Sequence, residues 1–210
     1  VEPYKTIKLH YISERNDIIN VLDVNCGVGN LLNLISNNLD KDIQLIGIEK
    51  EEEIIRIAEC FGDLQGNDIR LCLNDCLDDL NIYADIIIGD LDCCYQNEKY
   101  LPYEIINKYQ HSFIDNDRND NFMIFMVDND FFNQKGIEEF KNNFQGTICG
   151  LIVLPQELFQ NKGKSIIIIN NKYFDKFDTM LINWPSANEE DKIYDVINKL
   201  NEWIKNIKNI

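Results

Sequence analysis

A turn with two glycines, placed directly after an apolar run, constrains the fold of this chain more than any other feature. The run from Ile18 to Leu22 is followed by Asp23-Val24-Asn25-Cys26-Gly27-Val28-Gly29-Asn30-Leu31. This order predicts a strand that ends in a carboxylate, then a tight turn, then a helix that begins near Leu31. Glycine lets backbone amides approach a ligand without side-chain obstruction. The turn is therefore typical of a site for a nucleotide-type cofactor.

Short apolar runs alternate with helical patterns from residue 18 to about residue 170. The alternation predicts repeated strand-helix units in a mostly parallel sheet, and the fully apolar run Ile86-Ile87-Ile88 is typical of a strand covered on both faces. We expect seven strands, near residues 18–24, 43–49, 69–74, 84–89, 121–128, 147–153 and 164–170. We expect helices between them, near residues 29–39, 50–61, 103–115 and 134–144.

The end of the chain has the pattern of an amphipathic helix that packs one face onto the body. Ser186 and Glu189 are spaced as a capping box for its start. The polar stretch 95–120, with Pro102, predicts a long excursion beside the candidate site. The predicted fold class is α/β: a Rossmann-like, seven-stranded, mostly parallel sheet with helices on both faces and a C-terminal amphipathic helix. The helical spacing there is carried by Ile193, Val196, Ile197, Leu200, Trp203, Ile204 and Ile207.

The length of 210 residues fits one domain with a sizeable core, so we expect residues 1–210 to form a single domain. The first residue is Val1 rather than Met, which indicates a processed or excised piece. No apolar run reaches the length of a membrane span, and the polar first residues do not resemble a signal peptide. The seven cysteines are odd in number and several lie in apolar runs, which favours reduced thiols. Together these features predict a cytoplasmic protein.

Acidic residues outnumber basic residues by 36 to 20, which gives a net charge of −16. Such a chain repels phosphate backbones, so nucleic acid binding requires a local basic patch or another domain. Four lysines gather loosely around the last predicted strands, at positions Lys162, Lys164, Lys172 and Lys176. These lysines are a weak indication of a DNA-contacting surface, and lysines in a solvated loop would give the same pattern.

The glycine turn discriminates between cofactors. A dinucleotide fold has a third glycine for close packing of helix on strand, but Leu32 stands at that position here. The sequence also has no Gly-Lys-Ser/Thr phosphate loop. The remaining candidate is S-adenosylmethionine, which carries no pyrophosphate and needs an acidic residue at the first strand.

Two further carboxylates follow the next predicted strands. Glu49 ends the second strand, where an acidic side chain can bind both ribose hydroxyls, and Asp75 follows the third, where it can accept from an adenine amino group. With Asp23, three carboxylates on successive strand ends converge on one crevice. The alternative is an α/β domain that merely has acidic loops.

The motif Asp23-Val24-Asn25-Cys26-Gly27-Val28-Gly29-Asn30-Leu31-Leu32 resembles the first motif of a known family, the adenine-N6-specific DNA methyltransferases related to type I restriction modification subunits. These are class I S-adenosylmethionine-dependent methyltransferases. The segment Leu154-Pro155-Gln156-Glu157-Leu158-Phe159, with Lys164-Ser165-Ile166-Ile167-Ile168, resembles the late region of the same family. The resemblance runs from about residue 18 to residue 186.

In this family the catalytic motif follows the fourth strand and usually reads Asn/Asp-Pro-Pro-aromatic. Here the strand Ile86-Ile87-Ile88-Gly89 leads into Asp90-Leu91-Asp92-Cys93-Cys94-Tyr95, which is most similar to a stand-alone branch with Asp-Leu-Pro-x-Gly-Tyr. The resemblance implies that Asp90 orients the target amine and that Tyr95 stacks on the flipped base. Asp92 and Cys94 replace the proline and glycine of that branch, so the catalytic loop is a degenerate version, with Asp92 a second carboxylate beside Asp90.

The resemblance thus implies an S-adenosylmethionine-dependent methyltransferase acting on an amino group, most directly adenine N6 in DNA. Two alternatives remain: an inactive cofactor-sensing or protein-interaction module, and a methyltransferase acting on RNA or on a protein amide. We expect DNA to be held by an N-terminal helical region that related proteins carry, and we expect no membrane partner and no metal; the oligomeric state is not predicted. A metal or redox site formed by Cys72, Cys76, Cys93 and Cys94 is a weaker alternative function, because these cysteines lack Cys-x-x-Cys spacing. The candidate catalytic residues are Asp90, Asp92 and Tyr95, and the candidate cofactor-binding residues are Asp23, Asn25, Gly27, Gly29, Glu49, Lys50, Asp75, Cys76 and Asp90.

Overall fold

The structure is a computed structural model, and it describes residues 18–38, 43–91, 95–96, 99–114, 121–159, 163–175, 177–186 and 190–207. The chain divides into two compact units, of which the first ends at Gly89 and the second begins at Asp90. The expectation of a single domain therefore stays a prediction.

The first unit is a parallel sheet with strand order β4-β1-β2-β3. Buried aliphatic residues such as Val21, Leu22 and Ile87 fill the strands, which explains their nearly continuous apolar runs. Strands β2 and β3 lie on one side of β1, and β4 lies on the other side. The direction in which successive strands are added to the sheet therefore reverses at β1. The elements are β1 (Ile19–Asp23), α1 (Asn30–Ser36), β2 (Ile43–Glu49), α2 (Glu52–Gln65), β3 (Ile69–Leu73) and β4 (Ile86–Asp90).

The second unit contains strands in the order β10-β8-β9-β7. β9 is antiparallel to both β7 and β8, whereas β10 is parallel to β8. Its strands and helices are β5 (Tyr95–Gln96), β6 (Lys99–Tyr100), α3 (Pro102–Tyr109), β7 (Phe122–Asp128), α4 (Ile137–Asn143), β8 (Thr147–Val153), β9 (Lys164–Asn170), β10 (Met180–Asn183) and α5 (Glu190–Ile207), with short 3₁₀ turns at Phe131–Asn133 and Gln156–Phe159.

The predicted fold class is confirmed: the chain is an α/β, Rossmann-like protein with mostly parallel strands. Each of the seven predicted strands is present, and the sequence analysis did not anticipate β10 or the two short strands β5 and β6. Helix α1 ends at Ser36, earlier than the predicted residue 39. The excursion 95–120 contains the small β5–β6 hairpin and α3 in its described part.

The C-terminal helix α5 has the predicted amphipathic character. Ile193 and Leu200 are buried, while Tyr194 between them is exposed. The indole of Trp203 comes so close to β8 that a Cβ on Gly150 would stand 3.3 Å from its ring. The capping-box residues Ser186 and Glu189 cannot be compared, since residues 187–189 lie outside the described part of the chain. Within that part, no helix is long and apolar enough to cross a membrane.

Candidate functional site

The turn after β1 has the backbone that the sequence predicted. Gly27 and Gly29 have φ angles of 52° and 78°, a left-handed conformation that other residues rarely adopt. The amide of Cys26 donates to the carbonyl of Ile48 at 2.9 Å, and the amide of Gly29 donates to the carbonyl of Cys26 at 2.9 Å. A Cβ on Gly27 would meet nothing within 4 Å, so open space adjoins the turn at this residue.

Asp23 closes β1 and is 2% exposed. Its Oδ1 accepts a hydrogen bond from the backbone amide of Asn25 at 3.2 Å, which ties the carboxylate to the turn. Asn25 itself is exposed. Helix α1 begins after Gly29, and the side chain of Asn33 donates back to the Gly29 carbonyl at 3.0 Å. The carboxylate, the turn and the first helical turn are therefore held together by short-range hydrogen bonds.

A glycine in the second strand provides the space that a third glycine in the turn would otherwise give. A Cβ on Gly47 would stand 2.7 Å from the sulfur of Cys26 and 2.9 Å from Cδ1 of Leu32. Real Cβ atoms essentially never come so close. Leu32 can therefore occupy the third-glycine position because β2, rather than α1, lacks a side chain at the contact. The sequence signal was an isolated glycine within the apolar run Ile46-Gly47-Ile48, which is typical of a close approach of another segment.

Replacing Gly47 by alanine is expected to lower the free energy of unfolding by about 1–3 kcal/mol, because overpacking forces the turn away from β2. Urea denaturation measures the loss. The matched control is Gly62→Ala in α2, where the added Cβ would meet no atom closer than 3.6 Å. That change should instead stabilise by up to about 1 kcal/mol through helix propensity. Equal effects of the two substitutions would contradict the packing described here.

Glu49 closes β2 and is 6% exposed, an uncommon burial for a glutamate. Its Oε1 accepts a hydrogen bond from the amide of Glu51 at 2.8 Å. The other oxygen, Oε2, accepts no hydrogen bond from the described residues. One oxygen of this buried carboxylate is thus tied to the backbone that leads into α2.

Asp75 lies one residue beyond Asn74, whose amide donates to the carbonyl of Glu49 at 3.0 Å. Oδ1 of Asp75 accepts from the amide of Leu77 at 2.9 Å, so the carboxylate caps its own turn. Asp75 and the neighbouring Cys76 are both half-buried. Since β1, β2 and β3 are parallel and adjacent, the carboxylates that follow them lie along one edge of the sheet.

Burial and two carboxylates keep Cys26 in its thiol form. Desolvation raises its pKa well above the usual range, and the negative charges of Asp23 and Glu49 raise it further. Cys26 is therefore placed between the two acidic strand ends as a buried, unreactive side chain. In β8, burial likewise raises the pKa of Cys149 to about 12. Among the described cysteines, none forms a disulfide: Cys26, Cys60, Cys72, Cys76 and Cys149.

Two further predicted site residues lie at the surface. Lys50 follows Glu49 and is exposed, and Asp90 is the exposed last residue of β4. Asp92 lies outside the described residues, as do Cys93 and Cys94. Tyr95 pairs with Tyr100 in the β5–β6 hairpin.

The interpretation of Lys164 as part of a basic footprint is wrong. Lys164 is 1% exposed, and its Nζ donates to Oδ1 of Asp128 at 2.7 Å, across the antiparallel pair of β7 and β9. The ammonium is therefore an internal ion-pair partner and is not available to a phosphate. Lys172 is half-buried, and Lys162 and Lys176 lie outside the described residues.

No family model matches the sequence, and no curated protein matches it significantly. Solved structures do match. A candidate class I S-adenosylmethionine-dependent methyltransferase from Listeria monocytogenes superposes with a TM-score of 0.81 at 21% identity, covering 95% of this chain and 68% of the other. The chain has the class I methyltransferase fold. The type I restriction-modification methyltransferase subunit from Streptococcus thermophilus gives a TM-score of 0.67 at 15% identity, covering 95% of this chain and 53% of the other.

The same methyltransferase fold serves different acceptors among the matching structures. The ribosomal protein L11 methylase from Lactobacillus delbrueckii matches with a TM-score of 0.58 at 18% identity, over 80% of this chain and 77% of that protein. One matching structure thus belongs to a restriction-modification system and another is named for a ribosomal protein. The likeness therefore shows the fold of this chain, and a fold of this kind does not by itself decide a substrate.

Proposed function

We propose that this chain binds S-adenosylmethionine at the carboxyl edge of β1, β2 and β3 and transfers its methyl group to an amino group, with adenine N6 in DNA as the acceptor. The observation that carries the proposal is the combination of the left-handed Gly27–Gly29 turn with the buried Glu49 on a methyltransferase fold. In open parallel sheets, ligands bind at this edge, beside the strand where the order reverses.

The residues of this edge fit the proposed cofactor. The turn leaves open space at Gly27, so backbone amides can approach a ligand there. Glu49 offers Oε2 to the ribose hydroxyls, while Asp75 has a second carboxylate oxygen beyond the one that accepts from Leu77. Asp23 adds negative charge, which favours a cofactor with cationic amino and sulfonium groups. A pyrophosphate would meet these same carboxylates and be repelled.

When bound, the cofactor supplies an activated methyl group. The family resemblance implies that the loop after β4 orients the methyl acceptor. Asp90 would accept hydrogen bonds from the acceptor amine and align the lone pair of its nitrogen, and Tyr95 would stack on the base. After transfer of the methyl group, the acceptor amine would release its proton to water. No strong base is required from the protein.

DNA as the acceptor is supported by the resemblance to restriction modification subunits and by the fold likeness to one of them. The net charge of −16 and the buried Lys164 argue that the described part of the chain is not by itself a DNA-binding surface. We therefore propose that DNA is held by a segment outside these 210 residues. RNA and protein amides are the alternative acceptors.

Transfer of labelled methyl groups tests the activity, with unmethylated genomic DNA, total RNA and protein extract as separate acceptors and the full-length protein as enzyme. We expect label in DNA. Asp90→Asn should retain most of it, because the family's motif accepts either residue, whereas Asp90→Ala should lose about 100-fold or more. If label appeared only in RNA or only in protein, that molecule and not DNA would be the methyl acceptor. Equal activity of the Asn and Ala variants would exclude Asp90 as the orienting residue.

The departure of the loop at Asp92 and Cys94 favours a second candidate, a cofactor-binding module without catalysis. Asp92→Pro restores the rigid residue of the stand-alone branch and removes the neighbouring carboxylate. A natural chain that binds the cofactor and is inert on every acceptor, together with an Asp92→Pro variant that is active, would establish this candidate. Binding combined with inertness of both proteins would exclude the DNA enzyme.

A further inference from the structure

A buried ion pair lies at the end of β7 in the second unit. Lys164 of β9 is 1% exposed, and its Nζ donates to Oδ1 of Asp128, the last residue of β7. Apolar residues of similar volume often stabilise a protein as well as a buried ion pair does, or better. The stability of the fold therefore does not explain why a lysine is buried here. The surroundings of the pair supply a functional reason.

Asp128 lies on the same face of the sheet as the candidate catalytic residue Asp90. The amide of Leu91 donates to the carbonyl of Met126 at 2.9 Å, so the first residues of the second unit run beside β7. In a parallel ladder this bond sets Leu91 level with Val127 and Asp90 level with Met126. Burial agrees, because Leu91 and Val127 are 0% exposed, whereas Asp90 is exposed and Met126 and Asp128 are half-buried.

The ammonium and the candidate catalytic carboxylate flank Asp128 on opposite sides. Lys164 stands directly opposite Asp128 in the antiparallel pairing of β7 and β9. Asp90 lies beside the other edge of β7, two residues back along the strand. From the spacing between strands and the rise along them, the Cα atoms of Asp90 and Asp128 are about 8 Å apart. Asp128 is therefore close enough to contact an amine that Asp90 binds.

The backbone and one oxygen of Asp128 are fixed by β9. Besides the bond from Lys164 to Oδ1, the amide of the next residue, Asn129, donates to the carbonyl of Gly163 at 3.1 Å. Oδ1 of Asn129 accepts from the hydroxyl of Ser165 at 2.6 Å. Oδ2 of Asp128 accepts no hydrogen bond from the described residues, and 20% of the side chain is exposed. A donor from outside the chain is the partner that this oxygen lacks.

Lys164 offsets the charge of Asp128. Two carboxylates on one face repel each other, and the ammonium at 2.7 Å compensates the negative charge that Asp128 adds beside Asp90. Because Lys164 is 1% exposed, it does not itself contact an acceptor. Its part in this arrangement is to orient Asp128.

We propose that Asp128 is a second acceptor-binding residue of the methyl-transfer site and that Lys164 is the residue that positions it. A primary amino group has two N–H donors, of which Asp90 accepts one and Oδ2 of Asp128 accepts the other. The two bonds together fix the direction of the nitrogen lone pair, which one bond alone leaves free to rotate. This inference rests on the proposed function and adds a residue from β7 to its acceptor site.

Asp128→Asn in the full-length protein tests the acceptor role. The carbonyl oxygen of asparagine still accepts from Lys164, so an amide donor replaces the acceptor that faces the amine. We expect kcat/KM for methyl transfer to unmethylated genomic DNA to fall about tenfold or more, with the Kd of S-adenosylmethionine unchanged. An unchanged kcat/KM would overturn the proposal, as would a loss of cofactor affinity as large as the loss of rate.

The double variant Lys164→Met with Asp128→Leu separates acceptor binding from folding. It leaves no buried charge unpaired, so it should recover much of the stability that Lys164→Met loses, while methyl transfer stays at least about tenfold lower. The control is Lys141→Met with Glu138→Leu, which removes an exposed pair of nearly the same length and should keep the natural kcat/KM. If RNA or protein is the acceptor, the same losses are expected with that molecule.

The outcomes separate this inference from the proposed function. A stable Lys164→Met, Asp128→Leu variant with the natural kcat/KM would show that the ion pair serves the fold alone, and the acceptor role of Asp128 would be wrong while the enzyme stands. Absence of methyl transfer by the natural protein to DNA, RNA and protein would instead remove the proposed function, and the role of Asp128 with it.

Discussion

Replacement of Lys164 by methionine is expected to lower the free energy of unfolding by about 2–4 kcal/mol. Methionine keeps much of the apolar stem, so the loss isolates the charge. Asp128, whose side chain is 20% exposed, would lose the ammonium that contacts it at 2.7 Å. The partial exposure of Asp128 places the expected loss below the upper end for fully buried pairs. Urea denaturation of the variant and the natural chain measures the difference.

Lys141→Met is the matched control for this substitution. Lys141 pairs with Glu138 at 2.8 Å, nearly the same distance, but both side chains are more than half exposed. Exposed pairs of this kind contribute about 0–1 kcal/mol. A double variant, Lys164→Met with Asp128→Leu, should recover much of the loss, because no buried charge remains unpaired. If Lys164→Met lowers the free energy of unfolding no more than Lys141→Met does, Lys164 is exposed in solution. It could then belong to a basic surface that contacts DNA.

Replacement of Glu49 by glutamine is expected to weaken S-adenosylmethionine about 10- to 100-fold. Glutamine keeps the size of the side chain but replaces a charged acceptor, and hydrogen bonds to charged groups contribute about 1.5–3 kcal/mol. The variant without ligand should be no less stable than the natural chain, since the charge of a carboxylate that is only 6% exposed is removed. Calorimetric titration and the melting temperature without ligand give the two readouts.

Glu53→Gln provides the control for charge. Glu53 lies in the first turn of α2, close in sequence to Glu49, but it is exposed. This variant should bind the cofactor like the natural chain. Equal binding by Glu49→Gln would remove the carboxylate at the end of β2 from the site. A large loss of stability with Glu49→Gln would instead show that the residue serves the fold.

Most of the fold follows from local pattern. The strands β1, β4 and β9 were predicted because each is a nearly unbroken apolar run, and they are buried on both faces. β10 escaped prediction because it has only four residues, Met180–Asn183, whose exposure alternates along the strand. Nothing in so short a stretch distinguishes a strand from a loop until its partner β8 is known.

The details of the site depend on register and packing that a single sequence does not contain. Lys164 was grouped with Lys162, Lys172 and Lys176 as a basic footprint because the four lysines gather around the last predicted strands. Its burial follows from the pairing that places it opposite Asp128. The third-glycine argument against a dinucleotide is also weaker than the sequence indicated, because Gly47 provides the close approach that Leu32 would otherwise block. The acidic strand ends and the methyltransferase fold now carry the cofactor proposal.

Calorimetric titration of the natural chain with S-adenosylmethionine, with NAD as the competing cofactor, tests whether the carboxyl edge of β1, β2 and β3 is a cofactor site. We expect saturable 1:1 binding of S-adenosylmethionine at micromolar to submillimolar concentration and no binding of NAD. Absence of both heat and thermal stabilisation at millimolar S-adenosylmethionine would contradict it, as would preferential binding of NAD.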